Sequence, residues 1–231
     1  LKLTEAPIFI AALNKPKPKA LPMMEVIVTH FKPFFLGMLI CIAGYVLFYI
    51  MIAFSQIYAK SAHTVSEAGY AMGLGFSPQI FTALLMCSAI SLAITIAISG
   101  KYIDIVGRRI WLIWTTFGVA IFGLALPYFL DNGTTTSLFW FLMIGMGLIG
   151  MGYGPLASFL PELFPTHARY SGASLTYNIS GLFGASVAAI IALPLNANYG
   201  LKGVGIYLTL NAVLSLIGLW FITETKDKHL A

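Results

Sequence analysis

The stretch G-K-Y-I-D-I-V-G-R-R, residues 100–109, places three cations and one carboxylate within ten residues of a chain that is only 9% charged. Such groups can pair, cap a helix end or anchor a loop at a membrane surface. Gly100 is expected to end one helix, and Gly107 to permit a tight turn. Asp104 can cap or pair at a neighbouring helix N-terminus, and Arg108-Arg109 opens the next helix. A second group of side chains is uncharged. Tyr45, Phe48, Tyr49, Ile52 and Gln56 follow i, i+3, i+4, i+7, i+11, which is one helical face ending in an amide. That face can hydrogen-bond a small polar ligand, or its tyrosines can pack as core or as an interfacial belt.

The elements that carry these residues are membrane spans. The 231 residues are 59% hydrophobic, with 13 Lys+Arg against 8 Asp+Glu and a mean hydropathy of +0.89. A soluble chain carries about 25% charged residues, so this one is read as an integral membrane protein. Six long uncharged intervals run over 33–59, 68–100, 110–130, 132–161, 170–201 and 203–223. A spanning helix needs about 20 apolar residues. The expected fold is all-α, with helices at about 34–58, 79–99, 110–130, 138–160, 173–194 and 204–222. A β-barrel fits poorly, because its strands would be about ten residues long with strict alternation.

Six spans return the chain to its starting side. The loops on that side hold all the Lys and Arg except Lys60 and Lys202. Both termini are therefore expected to be cytoplasmic. Residues 1–32 read as a cytoplasmic linker, 33–223 as the six-helix bundle and 224–231 as a cytoplasmic tail. Within the linker, the Pro- and Lys-rich segment 4–22 is expected to be extended, either solvated or on the membrane surface. The basic balance, with a pI of about 9.2, is read as topology rather than nucleic-acid binding.

Catalytic and metal signatures are missing. Cys41 and Cys87 lie in apolar runs and read as small hydrophobes. No Walker, HExxH or CxxC pattern occurs, so no enzyme activity, metal or cofactor is expected. His30, His63, His167 and His229 fall outside the spans, and no ionisable residue sits in the middle of one.

Two further spans carry small and polar residues. The fourth reads G-M-G-L-I-G-M-G-Y-G-P over 145–155. Gly150 and Gly154 form a GxxxG pair suited to close packing. With Pro155 they also suit a helix bend, beside which Tyr153 is a candidate cavity contact. In the fifth span, Ser180, Gly184, Ala188 and Ala192 form a small-residue stripe. Tyr177 and Asn178 lie about one turn inside the membrane. A buried Asn178 needs a partner, either substrate or a neighbouring helix.

The pattern G-x-x-x-D-x-x-G-R-R between two spans resembles the signature loop of the major facilitator superfamily. Residues 161–174, P-E-L-F-P-T-x-x-R-Y-x-G-A-S, resemble the loop between the tenth and eleventh helices of its bacterial metabolite:proton symporters. That branch carries proline and betaine, shikimate, α-ketoglutarate and citrate. The tail T-E-T-K and the start T-E-A-P-I-F look similar to it as well. The resemblance implies a secondary transporter working by alternating access, with small-molecule substrate and protons as partners. It covers only the second half of such a transporter, so an N-terminal six-helix half is the expected partner, with membrane lipid around both. A coupling residue is then expected in that other half.

By the same resemblance, Tyr45, Tyr49 and Gln56 face substrate. Asp104, Arg108, Arg109, Glu162 and Arg169 pair across loops in one state and part in another, or serve simply as positive-inside anchors. Gly44-Tyr45 stands where the family often carries Glu-Asn, so no particular substrate carries over. The alternatives are a non-transporting receptor or assembly subunit on the same fold, and an inactive piece of a split transporter.

Overall fold

A computed structural model describes residues 22–224. A short helix, α1 (Pro22–Thr29), precedes the first span. The spans are α2 (Phe31–Lys60), α3 (Pro78–Val106), α4 (Arg108–Leu130) and α5 (Thr135–Glu162), followed by one helical run, Arg169–Phe221. That run has 53 residues. At 1.5 Å each it would reach about 80 Å, more than twice a hydrocarbon core. Gly200 resolves this, because its φ of 67° and ψ of −169° leave the helical region. The run is therefore two spans, α6 (169–199) and α7 (201–221). Six spanning helices result, in the six intervals the sequence marks.

The helices are longer than their apolar centres. α3 continues through the charged stretch to Val106, so Gly100 lies inside the helix rather than at its end. A Cβ at Gly100 would meet nothing within 4 Å. The break comes at Gly107, with φ 104° and ψ 140°, a backbone that side chains resist. α6 likewise runs on beyond about 194, where the expected span ended, and stops only at Gly200. The Tyr70 ring fills the space there, 2.6 Å from where a Cβ would sit. Of the segment 4–22, only Pro22 lies within the described residues, and it begins α1.

α3 packs chiefly on α5, and α2 lies against α6 and α7. These contacts depend on small residues. A Cβ at Gly123 of α4 would lie 2.8 Å from the Gly205 carbonyl oxygen of α7. One at Gly150 would lie 2.6 Å from the Leu92 carbonyl oxygen, and one at Gly154 would collide with Ser99. The GxxxG pair is thus the seam between α5 and α3. On α6, Gly184 faces Tyr45 of α2, with 2.6 Å between the Tyr45 Cβ and a built Cβ. Ser180, Ala188 and Ala192 of the same stripe are buried.

Polar groups inside the bundle are matched across helices. Pro155 has no N–H, so it leaves the Met151 carbonyl without its helical donor. The Trp111 indole of α4 donates to that oxygen at 2.9 Å. The Ser180 hydroxyl donates to the Met38 carbonyl at 3.2 Å, and that of Ser215 to the Leu39 carbonyl at 2.6 Å. α5 itself stays helical from Thr135 to Glu162 through Pro155 and Pro161. At the Gly200 end of the bundle, burial raises the Asp131 carboxyl pKa, and the Lys202 charge opposes that rise.

Because the Gly123 seam has no spare volume, Gly123→Val should cost about 1–3 kcal/mol of stability. Thermal melting in detergent reads this as a drop of several degrees. An unchanged melting temperature would show that α4 and α7 do not rely on the close approach.

Candidate functional site: a tyrosine-lined cavity and a charged helix junction

Tyrosines from three helices meet between α2, α5 and α6. The rings of Tyr45 and Tyr177 have centroids 5.0 Å apart. Tyr153 and Tyr177 meet edge to face at 6.5 Å. The Tyr177 hydroxyl donates to that of Tyr153 at 2.9 Å. Two cavities share these last two residues and Leu156. The smaller, about 180 Å³, reaches past Tyr45 to Thr115 and Thr116 of α4. The larger, about 710 Å³, opens towards Thr166, Arg169, Tyr170 and Ser174. Arg169 is the cation among its lining residues. Its Nε is buried and makes no hydrogen bond among the described residues.

Two helices near this site contain π turns. α2 has one at Ile50–Phe54, and α6 has one at Leu182–Ser186. A π turn adds a residue to a helical turn, which rotates everything beyond it by about 100°. The regular spacing from Tyr45 to Gln56 crosses the first of them. Gln56 is exposed and lines neither cavity. Tyr49 also lines neither, and its hydroxyl donates to the Ala189 carbonyl of α6 at 3.4 Å. Asn178 is exposed rather than buried. Its amide donates at 2.8 Å to the Ser174 carbonyl of its own helix.

The charged residues assemble at one end of the bundle. Arg108 lies 3.2 Å from Asp104 and 3.0 Å from Glu162. The second contact is an ion pair without hydrogen-bond alignment at Nε. Arg108 thus ties the ends of α3 and α5 to the start of α4. Arg109 works differently. Its Nε donates to the Leu219 carbonyl at 2.8 Å, and a terminal nitrogen donates to that of Trp220 at 3.1 Å. A cation therefore sits at the C-terminal end of α7, where the helix dipole favours it.

Sequence reasoning missed Glu224, just past α7. Its two carboxylate oxygens accept the backbone N–H groups of Arg108 and Arg109, each at 3.1 Å. Those amides open α4 and have no partner in their own helix. The only sequence signal was a carboxylate directly after an apolar span. Tyr177 was noticed for its depth, but its spacing gives no sign that it faces Tyr153.

Comparison with known proteins places the chain. The family model described as sugar (and other) transporter matches residues 70–231. The chain belongs to this family, within the major facilitator superfamily. It is 90% identical over its full length to a Haemophilus influenzae protein named for metabolite transport, covering 52% of that protein. It is 36% identical to the Escherichia coli inner membrane metabolite transport protein YhjE, covering 51% of it. Across 89% of the chain it is 26% identical to the glycine betaine/proline/ectoine/pipecolic acid transporter OusA of Dickeya dadantii. The chain thus spans about half the length of the curated relatives it matches most fully. No solved structure matches it.

Charge removal at the junction should follow burial. The Glu162 and Arg108 side chains are 14% and 15% exposed, whereas Asp104 is 67% exposed. Exposed pairs contribute about 0–1 kcal/mol. Losing a buried partner costs more, because a charge is left behind. Glu162→Gln should therefore lower the melting temperature further than Asp104→Asn. Glu224→Ala should cost about 0.5–2 kcal/mol, as for loss of a helix cap. Equal, negligible effects from all three would remove the junction from the account of stability.

Proposed function

We propose that this chain forms one half of a secondary transporter for a small polar metabolite of organic acid, amino acid or betaine type. It works with a six-helix counterpart in the cytoplasmic membrane, both ends of the described bundle facing the cytoplasm. Transport proceeds by alternating access, with the two halves rocking about a site between them. The reading rests on the Tyr153–Tyr177 pair, which forms the wall between an inner and an outer cavity. A phenol pair of this kind can exchange its mutual hydrogen bond for one to a substrate. Arg169, on the outer cavity, suits a carboxylate. Family membership and the named relatives support the transport class.

Proton coupling is part of the proposal. The middle of each described span lacks a carboxylate, a cation or a histidine. The proton-binding group is therefore assigned to the counterpart. The junction of Asp104, Arg108, Glu162 and Glu224 is assigned to the switch between states. Its exposed Asp104–Arg108 pair is weak enough to part, whereas the more buried Glu162–Arg108 pair must find new partners as it opens. In this reading Gly150, Gly154 and Pro155 allow α5 to bend as the outer cavity opens.

Proteoliposomes holding only this polypeptide should show no saturable, proton-dependent uptake of labelled citrate, proline or betaine. Membranes carrying it joined to an N-terminal six-helix half should show such uptake. In the joined protein, Tyr177→Phe should raise KM about 2- to 10-fold, the loss expected for one hydrogen bond. Saturable uptake by the chain alone would overturn the half-transporter reading. Unchanged kinetics in Tyr177→Phe would remove the tyrosine pair from the site.

A further inference from the structure

Glu25, His30 and His167 come together at the same end of the bundle as Arg108, outside the cavities and the junction. The Glu25 carboxylate lies 2.8 Å from His167 Nε2. The His30 and His167 rings have centroids 6.2 Å apart. One donor atom from each of the three residues lies within 4.8 Å of the others. We propose that this cluster is a binding site for a divalent transition metal of the zinc type.

The donor chemistry fits. Two imidazoles and one carboxylate form a common zinc set, with a fourth position left to water. Donors about 2.0–2.2 Å from the metal sit roughly 3.3 Å apart in a tetrahedron. Glu25 and His167 need only separate slightly from 2.8 Å, and His30 needs to move inwards. Metal entry breaks the Glu25–His167 hydrogen bond, and the neutral imidazole carries its single proton on Nδ1 instead of Nε2, exchanged through solvent. The carboxylate and one imidazole lone pair then bind the ion.

Two of these ligands come from the same short segment, His30 from the turn and Glu25 from α1 before it. His30 is the single residue between α1 and α2, with φ −117° and ψ 34°. Its side chain makes no capping hydrogen bond. Its main chain is satisfied independently, since its N–H donates to the Val26 carbonyl at 3.1 Å and its carbonyl accepts from Phe34 at 3.1 Å. The imidazole is therefore not committed to holding the turn. Glu25 lies five residues earlier. The third ligand comes from far along the chain, in the connection between α5 and α6. Val26 is fully buried beside Phe164 and Ala168, which brings the two segments together before any metal arrives.

The consequence is a clamp. With metal bound, α1 is fastened to the α5–α6 connection by coordination as well as by one small apolar cluster. This connection leads directly to Arg169 and the outer cavity. The site does not depend on the transport proposal, and its test needs no substrate.

The test is a Zn²⁺ titration of the 231-residue chain in detergent, purified without an oligohistidine tag. It should bind one Zn²⁺ per chain, and Co²⁺ in its place should give the visible absorption of a low-coordinate site. Glu25→Gln, His30→Gln and His167→Gln should each weaken binding by about 10-fold or more, as loss of one of three ligands requires. His63→Gln, on the opposite end, should leave binding within 2-fold. Absence of saturable one-to-one binding would overturn the site. So would binding that survives the paired change His30→Gln with His167→Gln. If those variants fail to fold, X-ray absorption on the Zn²⁺-loaded parent decides. Two imidazole ligands support the site, and none refutes it.

Discussion

Hydrocarbon offers a backbone nothing to bond with, and most of this architecture follows from that constraint. Each spanning segment must be helical, and each carbonyl released by a proline needs a donor from elsewhere. Trp111 supplies one to Met151 across the α4–α5 contact. Ser180 and Ser215 add donors from α6 and α7 to carbonyls of α2. These bonds are short-ranged, so helices must approach closely. Close approach in turn requires the glycines at 123, 150, 154 and 184. The packing seams and the polar matches are two results of one requirement.

The helix ends follow a different rule, because they lie near water. There the unpaired amides of α4 meet the Glu224 carboxylate, and the last carbonyls of α7 meet the Arg109 guanidinium. One turn at Gly107 thus joins the start of one helix to the end of another with complementary charge. Arg108 adds the ends of α3 and α5 through Asp104 and Glu162. Four helices are gathered around two adjacent arginines. Anchoring and pairing were alternatives in the sequence. In the structure Arg108 pairs with two carboxylates, while Arg109 holds the last carbonyls of α7.

The number and order of spans were legible because uncharged length is a strong signal. Helix ends were less legible. Gly100 looked like a terminus, yet a glycine ends a helix only where the backbone needs its freedom, as at Gly107 and Gly200. The GxxxG seam and the small-residue stripe of α6 could be read because close packing leaves a direct compositional trace. The cavity could be read only in part. Tyr45 and Tyr153 line it, but no pattern paired Tyr153 with Tyr177, which lie 24 residues apart on different helices. Gln56 lies beyond the π turn of α2, which shifts it off the face that Tyr45 starts and leaves no mark in residue spacing. Asn178 was expected to bond substrate or a neighbouring helix, and the structure gives its amide the carbonyl one turn back.

The break at Gly200 is a joint between two spans. One residue separates α6 from α7, so there is no loop to absorb motion. Any turning of α6 about its axis reaches α7 as torque through a single pair of backbone dihedrals. The Tyr70 ring, wedged against Gly200, acts as a brake on that joint. The far end of α7 is gripped by Arg109. α7 is thus held at both of its ends, by Tyr70 beside Gly200 and by Arg109 at Leu219.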